Sequence, residues 1–335
     1  MMKRTRSYHA LWASGELEKR AQELERLLQS CTLCPLSCGV DRTKGAIARC
    51  YSGALPIVSS SCLHFGEEPA LSGTRGVGNI FFGNCNLRCV YCQNHQISQN
   101  WKQERIHEVS HERLAGMMLE LQEQGASAIG FVSPAHFTAQ IMRALTLAVP
   151  QGLALPLIYN TNAYDSVDVL KLFEGVTEIY LPDLKYADDA DGRAYSKVDR
   201  YVTHARAAVR EMHRQTGSLL EYGDEGLVER GLIIRHLVLP NDLARSEETL
   251  RWIRREFGTD VTLSIMAQYY PAHKALKMEL LDRPVREREY ERVVELVERL
   301  GFEHGWIQEF ESRDCYRPDF SVRSNPFQDS PDRIR

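Results

Sequence analysis

The sequence predicts an α/β fold: a partial (β/α)6-type TIM barrel preceded by an N-terminal Cys-rich module. Three observations predict it. From about residue 76, short apolar runs alternate with amphipathic helical stretches, the rhythm of a parallel sheet with right-handed crossovers. Polar and charged residues recur where the apolar runs end, the face on which a βα barrel carries its chemistry. Eight of the nine cysteines fall between positions 31 and 92, a crowding that random placement does not produce.

Residues 15–29, GELEKRAQELERLLQ, alternate acid and base at helical spacing and read as a solvated helix. A Cys- and Gly-rich stretch follows, so that 1–75 form a helix and module, 76–312 the barrel and 313–335 an extended, Pro-containing polar tail. The strand candidates are 79–83, 128–133, 155–160, 178–181, 232–239, 261–266 and 306–310. Between them, residues 111–124 place Leu114, Met117, Met118 and Leu121 on one helical stripe, and 286–300 do the same with Tyr290, Val293, Val294, Val297 and Leu300. No internal repeat is present. A doubly wound open sheet is the alternative arrangement of the same units.

Hydrophobic residues make up 43% of the 335-residue chain and charged residues 26%, as in an ordinary globular protein. A formal net charge of −4 argues against a nucleic-acid backbone or an anionic membrane as the main partner. No apolar run approaches the roughly 18 residues of a membrane span. The basic N-terminus turns to charged helix without the apolar core of a signal peptide, so the expected location is cytoplasmic. In a reducing compartment, clustered cysteines mean metal or redox chemistry rather than disulfides. Cys315 stands apart as a lone thiol.

Cys85-x3-Cys89-x2-Cys92 supplies three thiolates directly after a strand candidate. Thiolates favour iron–sulfur clusters or zinc. Three closely spaced cysteines can hold three irons of a 4Fe–4S cubane and leave the fourth open to a substrate group. A zinc knuckle that borrows His95 is the competing reading, but such knuckles usually pair two CxxC units.

The CxxxCxxC motif, with Tyr91 before its last cysteine, resembles the signature of the radical S-adenosylmethionine (SAM) superfamily. CTLCPLSCGV, HFGEEPALSGTRGVGNIFFGNCNLRCVYCQNHQIS and the later PDF are similar to a branch resembling pyruvate formate-lyase-activating enzyme. The resemblance implies a cluster whose unique iron chelates SAM. One electron then cleaves SAM to methionine and a 5′-deoxyadenosyl radical that takes hydrogen from a substrate. It also implies an electron donor such as flavodoxin or ferredoxin, and a protein substrate if the target is a glycyl-radical enzyme. The cofactor carries the hard step, and the protein positions it and excludes water.

Further residues carry over one by one. The family's Asp-Thr-Asn-Gly run corresponds to Asn160-Thr161-Asn162-Ala163, and its Asp-x-Lys to Asp183-Leu184-Lys185. In the family, the Asp-Thr pair and the later Asp help to bind a monovalent cation. Asn160 keeps an oxygen ligand there and loses a charge. Lys185 and Arg235 are charge partners for the SAM carboxylate or a substrate anion, and His273 falls where relatives place a histidine near the ribose. The Gly-Gly-Glu-Pro type motif that receives the SAM amino group in the superfamily is replaced by Ser133-Pro134-Ala135-His136, which leaves that role to Ser133 or to backbone groups there. Gly66-Glu67-Glu68-Pro69 resembles the missing motif but precedes the cysteines, so it is assigned to a branch-specific loop.

Cys31-x2-Cys34-x3-Cys38-x11-Cys50 offers four more thiolates, with Gly39 and Gly45 for tight turns. They suit a structural zinc or a second iron–sulfur cluster, and only the cluster could relay electrons. Cys62, near His64, is a spare or alternative ligand. A non-catalytic iron–sulfur electron carrier is the alternative function; it would leave the polar strand ends unexplained.

Overall fold

The computed structural model describes residues 6–310 and 317–327. Cys315 and the last residues of the expected tail lie outside the described residues. Nine strands form one sheet: β1 (Val58–His64), β2 (Val77–Phe82), β3 (Ile129–Val132), β4 (Leu157–Thr161), β5 (Ile179–Pro182), β6 (Glu221–Tyr222), β7 (Val228–Leu237), β8 (Thr262–Met266) and β9 (Gly305–Ile307). The order is β1-β2-β3-β4-β5-β7-β8-β9, and β6 pairs β7 as a short exposed ribbon. From β2 to β9 the path is parallel throughout. Every apolar run expected as a strand overlaps one of these seven.

The strand ends of β2, β4, β7, β8 and β9 line one common cavity, so the sheet curls around a lumen as a partial barrel rather than lying open. β1 and β9 are its two ends. Helices His111–Glu123, Thr138–Ala148, Tyr201–Thr216, Ser246–Phe257 and Glu287–Arg299 follow successive strands. In the first of these, Ser110 caps the N-terminus by accepting from Arg113 N, and Leu114, Met118 and Leu121 are buried. In the last, Tyr290, Val293, Leu296 and Val297 form the buried stripe, and Val294 is only half-buried.

Two departures from the sequence reading bear on the site. β1, within the stretch read as the Cys-rich module, is hydrogen-bonded antiparallel to β2. Its VSSSCLH sequence has too few apolar residues to announce a strand, and it is held by pairing to the fully buried β2. The N-terminal helical stretch is two helices, Ser7–Ala13 and Glu16–Leu27. The second is not simply solvated: it buries Leu17, Ala21 and Leu24 and packs on Thr138–Ala148. Arg143 anchors it through Glu18 and Glu25, each at 2.7 Å.

β2 and β3 approach closely where Gly130 pairs with Asn79. A Cβ at Gly130 would stand 2.0 Å from Asn79 Oδ1. Gly130→Ala is therefore expected to cost about 1–3 kcal/mol in urea unfolding, the range for overpacking a filled core. Wild-type stability of that variant would refute the close contact. Among the described residues no helix is long and apolar enough to cross a membrane.

Candidate metal centre and cofactor cavity

β2 delivers the chain to Gly83 and Asn84, and the cysteine loop begins there. Cys85, Cys89 and Cys92 all line a cavity of about 480 Å³. Each sulfur has a polar neighbour. Cys85 Sγ accepts from Leu87 N at 3.4 Å and from Asn162 Nδ2 at 3.5 Å. Cys89 Sγ lies 3.0 Å from Ser196 Oγ, and Cys92 Sγ 3.1 Å from Ser98 Oγ. Burial and the neighbouring thiols push Cys85 up to about 12 and Cys92 up to about 11. Such thiols become ligands only where a metal's charge displaces the proton. Three sulfurs lining one cavity, those of Cys85 and Cys89 buried and that of Cys92 half-buried, each with a polar neighbour, fit an iron–sulfur cluster. Among the described residues no three His, Cys, Asp or Glu side chains enclose a point as the ligands of a single ion would.

The cysteine loop is tied to the strand ends. Asn162 Nδ2 donates to Asn86 Oδ1 at 2.8 Å, and Asn86 Nδ2 donates to the Tyr164 carbonyl at 2.9 Å. Tyr91 OH meets Tyr186 OH at 2.6 Å, and Tyr186 OH meets Ser196 Oγ at 2.8 Å. A hydroxyl chain thus runs from Tyr91 to the Cys89 sulfur.

Of the residues singled out from the sequence, Tyr91, Ser133, Asn160, Thr161, Asn162, Asp183, Lys185 and Arg235 line this cavity with the three cysteines. Ser133 is held in a left-handed conformation (φ 57°), its N–H donating to the Asn160 carbonyl at 2.8 Å. The Thr161 hydroxyl donates to Asp165 Oδ2 at 2.5 Å, and Tyr159 OH donates to Oδ1 at 2.8 Å. Burial raises the Asp165 carboxyl to about 6. Lys185 Nζ bonds Asp183 Oδ2 at 2.7 Å. Burial opposes the lysine's charge most strongly, but Asp183, together with Cys89 and Tyr201, outweighs it and raises its pKa. Tyr201 OH ties this pair to β4 by donating to both the Asp183 and Asn162 carbonyls.

Arg235 is already committed. Nε donates to Glu68 Oε1 at 2.8 Å, and Nη2 bridges Glu67 and Glu68. Asn79 Nδ2 donates to Glu67 Oε1 at 2.7 Å. Gly66, Glu67, Glu68 and Pro69 therefore line the same cavity as the cysteines, although they precede them in sequence. The antiparallel return of β1 brings them there, which a reading built on βα units could not foresee. Burial pushes Glu67 up, but the Arg235 charge, with His64 and Asn79, brings it down to about 2.

His273 is not among the cavity-lining residues. Its ring stacks on His95 with centroids 5.2 Å apart, and the following amides, of Lys274 and Ala275, donate to the Val90 carbonyl. His95 Nδ1 lies 3.2 Å from the Cys92 carbonyl and lines no part of the cavity.

Cys31, Cys34, Cys38 and Cys50 come together in a separate small pocket with Arg42 and His136. Gly39 and Gly45 both take left-handed conformations (φ 67° and 79°) in its turns. Cys62 is elsewhere, in β1, packed with Phe81, Ile97 and Phe320. It is not a ligand of this pocket. Residues 317–327 fold back over β1 and β2: Ser60 Oγ donates to the Arg323 carbonyl at 2.7 Å, and Arg323 pairs with the buried Glu104 at 2.7 Å. Pro318 and Phe327 complete the cavity wall beside Trp306, Ile307 and Glu309.

No family model matches the chain. It is similar to MJ0674, an uncharacterised protein of Methanocaldococcus jannaschii, with 27% identity over 294 residues, 86% of this chain and 80% of the relative. Among solved structures it is similar to the FeFe-hydrogenase maturase HydG of Carboxydothermus hydrogenoformans (11% identity, 96% of this chain, 72% of that chain, TM-score 0.48). It is also similar to methylornithine synthase, PylB (12% identity, 84% and 68%, TM-score 0.42), and to Streptococcus suis SuiB bound to S-adenosylmethionine (10% identity, 68% and 48%, TM-score 0.43). At these identities and scores the neighbours fix no activity for this chain.

Proposed function

We propose that the chain is a radical SAM enzyme that binds a 4Fe–4S cluster on Cys85, Cys89 and Cys92 and SAM in the adjoining cavity. The observation that carries this reading is the placement of three thiols on one wall of a cavity otherwise walled by polar strand ends. With cluster and SAM bound, the cluster would supply one electron to the sulfonium C–S bond, releasing methionine and a 5′-deoxyadenosyl radical that would take a hydrogen atom from a donor. The residues of the chain do the positioning. Asn162 holds the Cys85 loop against β4. Ser133 and its backbone receive the SAM amino group. Lys185, with two Nζ protons beyond its bond to Asp183, faces the SAM carboxylate. Arg235, engaged by Glu67 and Glu68, acts as a fixed wall.

The hydrogen donor suggested by the sequence resemblance is a backbone glycine of a partner protein. A low-potential donor of the flavodoxin or ferredoxin class would supply the electron. The Cys31, Cys34, Cys38 and Cys50 pocket is read as a second metal site.

The test is anaerobic. Protein reconstituted with iron and sulfide, then reduced with dithionite, is incubated with SAM and assayed for 5′-deoxyadenosine. Formation at more than the rate of cluster-free protein is expected. A fully loaded protein that forms none, and does not bind SAM, would leave the electron-carrier reading in its place. Lys185→Met is expected to weaken SAM binding about 10-fold, taking a charged hydrogen bond as about 1.5 kcal/mol. Equilibrium dialysis against labelled SAM reads it, and unchanged affinity would remove the lysine's assigned role.

A further inference from the structure

Arg42 is 1% exposed and sits in the wall of the four-cysteine pocket. Nε and Nη2 donate to the Gly53 carbonyl at 2.9 and 2.6 Å. Nη1 donates to the His136 carbonyl at 2.7 Å and lies 3.9 Å from Cys31 Sγ. The guanidinium carbon is 5.6 Å from the Phe137 ring centroid. All of these partners are neutral as long as the thiols are protonated. Asp41, the adjacent carboxylate, pairs instead with Lys44 at 3.2 Å, and among the described residues no carboxylate forms an ion pair with Arg42.

A guanidinium does not shed its proton in a protein, and a buried charge without a counter-charge is strongly destabilising. Something in the pocket must be negative. Protonated cysteines do not meet the need, but thiolates do. Four thiolates around a 4Fe–4S core, whose ligands need not converge on one point, leave a net negative centre beside Arg42. A second deficit points the same way. His136, also 1% exposed, bonds the Gly83 carbonyl through Nε2 at 3.0 Å, and its Nδ1 has no hydrogen-bond partner. A carbonyl can only accept, so Nε2 carries the proton and Nδ1 is a bare lone pair in the wall of a pocket suited to a metal.

We infer that Cys31, Cys34, Cys38 and Cys50 hold an anionic metal–thiolate centre and that Arg42 is its buried counter-cation. This deepens the second-site reading above and does not depend on SAM cleavage. The centre is joined to the first cysteine loop by two links. One runs from Arg42 through His136 to Gly83, two residues before Cys85. The other is the Asn84 Nδ2 bond to the Tyr51 carbonyl at 3.2 Å, which joins the neighbours of Cys85 and Cys50.

The experiment is metal analysis after anaerobic purification of a variant with Cys85, Cys89 and Cys92 all changed to Ala. Iron with acid-labile sulfide is expected to remain bound. Adding Cys34→Ser is expected to remove it. Arg42→Met is expected to weaken retention against a chelator by about 10–100-fold, the usual effect of losing a partner around a metal site. Arg42→Lys, which keeps the charge, should hold more than Arg42→Met. No metal in the triple variant, or equal loss in Arg42→Met and Arg42→Lys, would overturn the inference. If the triple variant does not fold, Cys34→Ser alone is made in the otherwise native chain. Total metal should then drop by one centre, and an unchanged total would equally overturn the inference.

Discussion

Arg235→Met is expected to cost the fold about 3–5 kcal/mol at pH 7, the range for breaking a buried ion pair by removing one partner. Arg235, Glu67 and Glu68 have side chains only 9%, 8% and 5% exposed. Removing the arginine leaves two buried carboxylates without the guanidinium that pairs with both. The pH dependence identifies the cause. In the native chain Arg235 depresses the folded pKa of Glu67 below its ordinary 4.5, to about 2. Its contribution is therefore complete above pH 4.5 and is lost as pH falls toward 2. In the variant, burial is the largest influence left on Glu67 and is opposed only by His64 and the Asn79 hydrogen bond, so the Glu67 carboxyl rises above 4.5 and the sign reverses. The variant should be more stable at pH 5 than at pH 7, whereas the Glu67 contribution in the native chain is flat across that interval. Urea unfolding at the two pH values measures both. Equal stability of variant and native protein at pH 7 would show that the triad is not a buried ion network.

Cys89→Ala is expected to abolish deoxyadenosine formation, to the level of protein without cluster. Two cysteines cannot hold three irons, so the cluster itself should be lost, and iron and sulfide should fall by one centre. Ser196→Ala makes a graded comparison. It keeps all three thiolates but removes the hydroxyl 3.0 Å from the Cys89 sulfur and cuts the chain through Tyr186 to Tyr91. A loss of about 10–100-fold in activity or metal retention is expected there. The informative measurement is iron, sulfide and deoxyadenosine on the same samples. Native turnover from Cys89→Ala would remove the cysteine triad from the chemistry.

The parts of the fold that were legible in the sequence are those fixed by local pattern. Each parallel strand carries an apolar run, and the barrel helices show a 3.6-residue stripe because one face of each is buried. The cysteines, Asn162, Asp183 and Lys185 could be placed together because the C-terminal ends of parallel strands share one face of a barrel. The rest depended on non-local geometry. β1 is polar in sequence and exists because β2 offers it an edge. Glu67 and Glu68 reach the cavity only through that antiparallel return, so their order in the chain misled. Tyr186, Ser196 and Tyr201 had no motif to mark them; each acts through a hydroxyl contact made in three dimensions. His136 lay in a motif assigned to SAM, yet it lines the four-cysteine pocket. Arg42 resembled any loop arginine until its burial was known.

The wall formed by Pro318 and Phe327 sets an order of assembly. The cysteine triad and most of the barrel leave the ribosome well before residues 317–327 are synthesised, and domains fold as their chain emerges. A nascent barrel can therefore gather its three thiols while one side of the cavity is still open to solvent. A cluster of the kind proposed above would have access during that interval. Docking of Phe320 and Phe327 onto Phe81 then sets Phe327 into the cavity wall, so the last wall element to be synthesised is also the last to be placed.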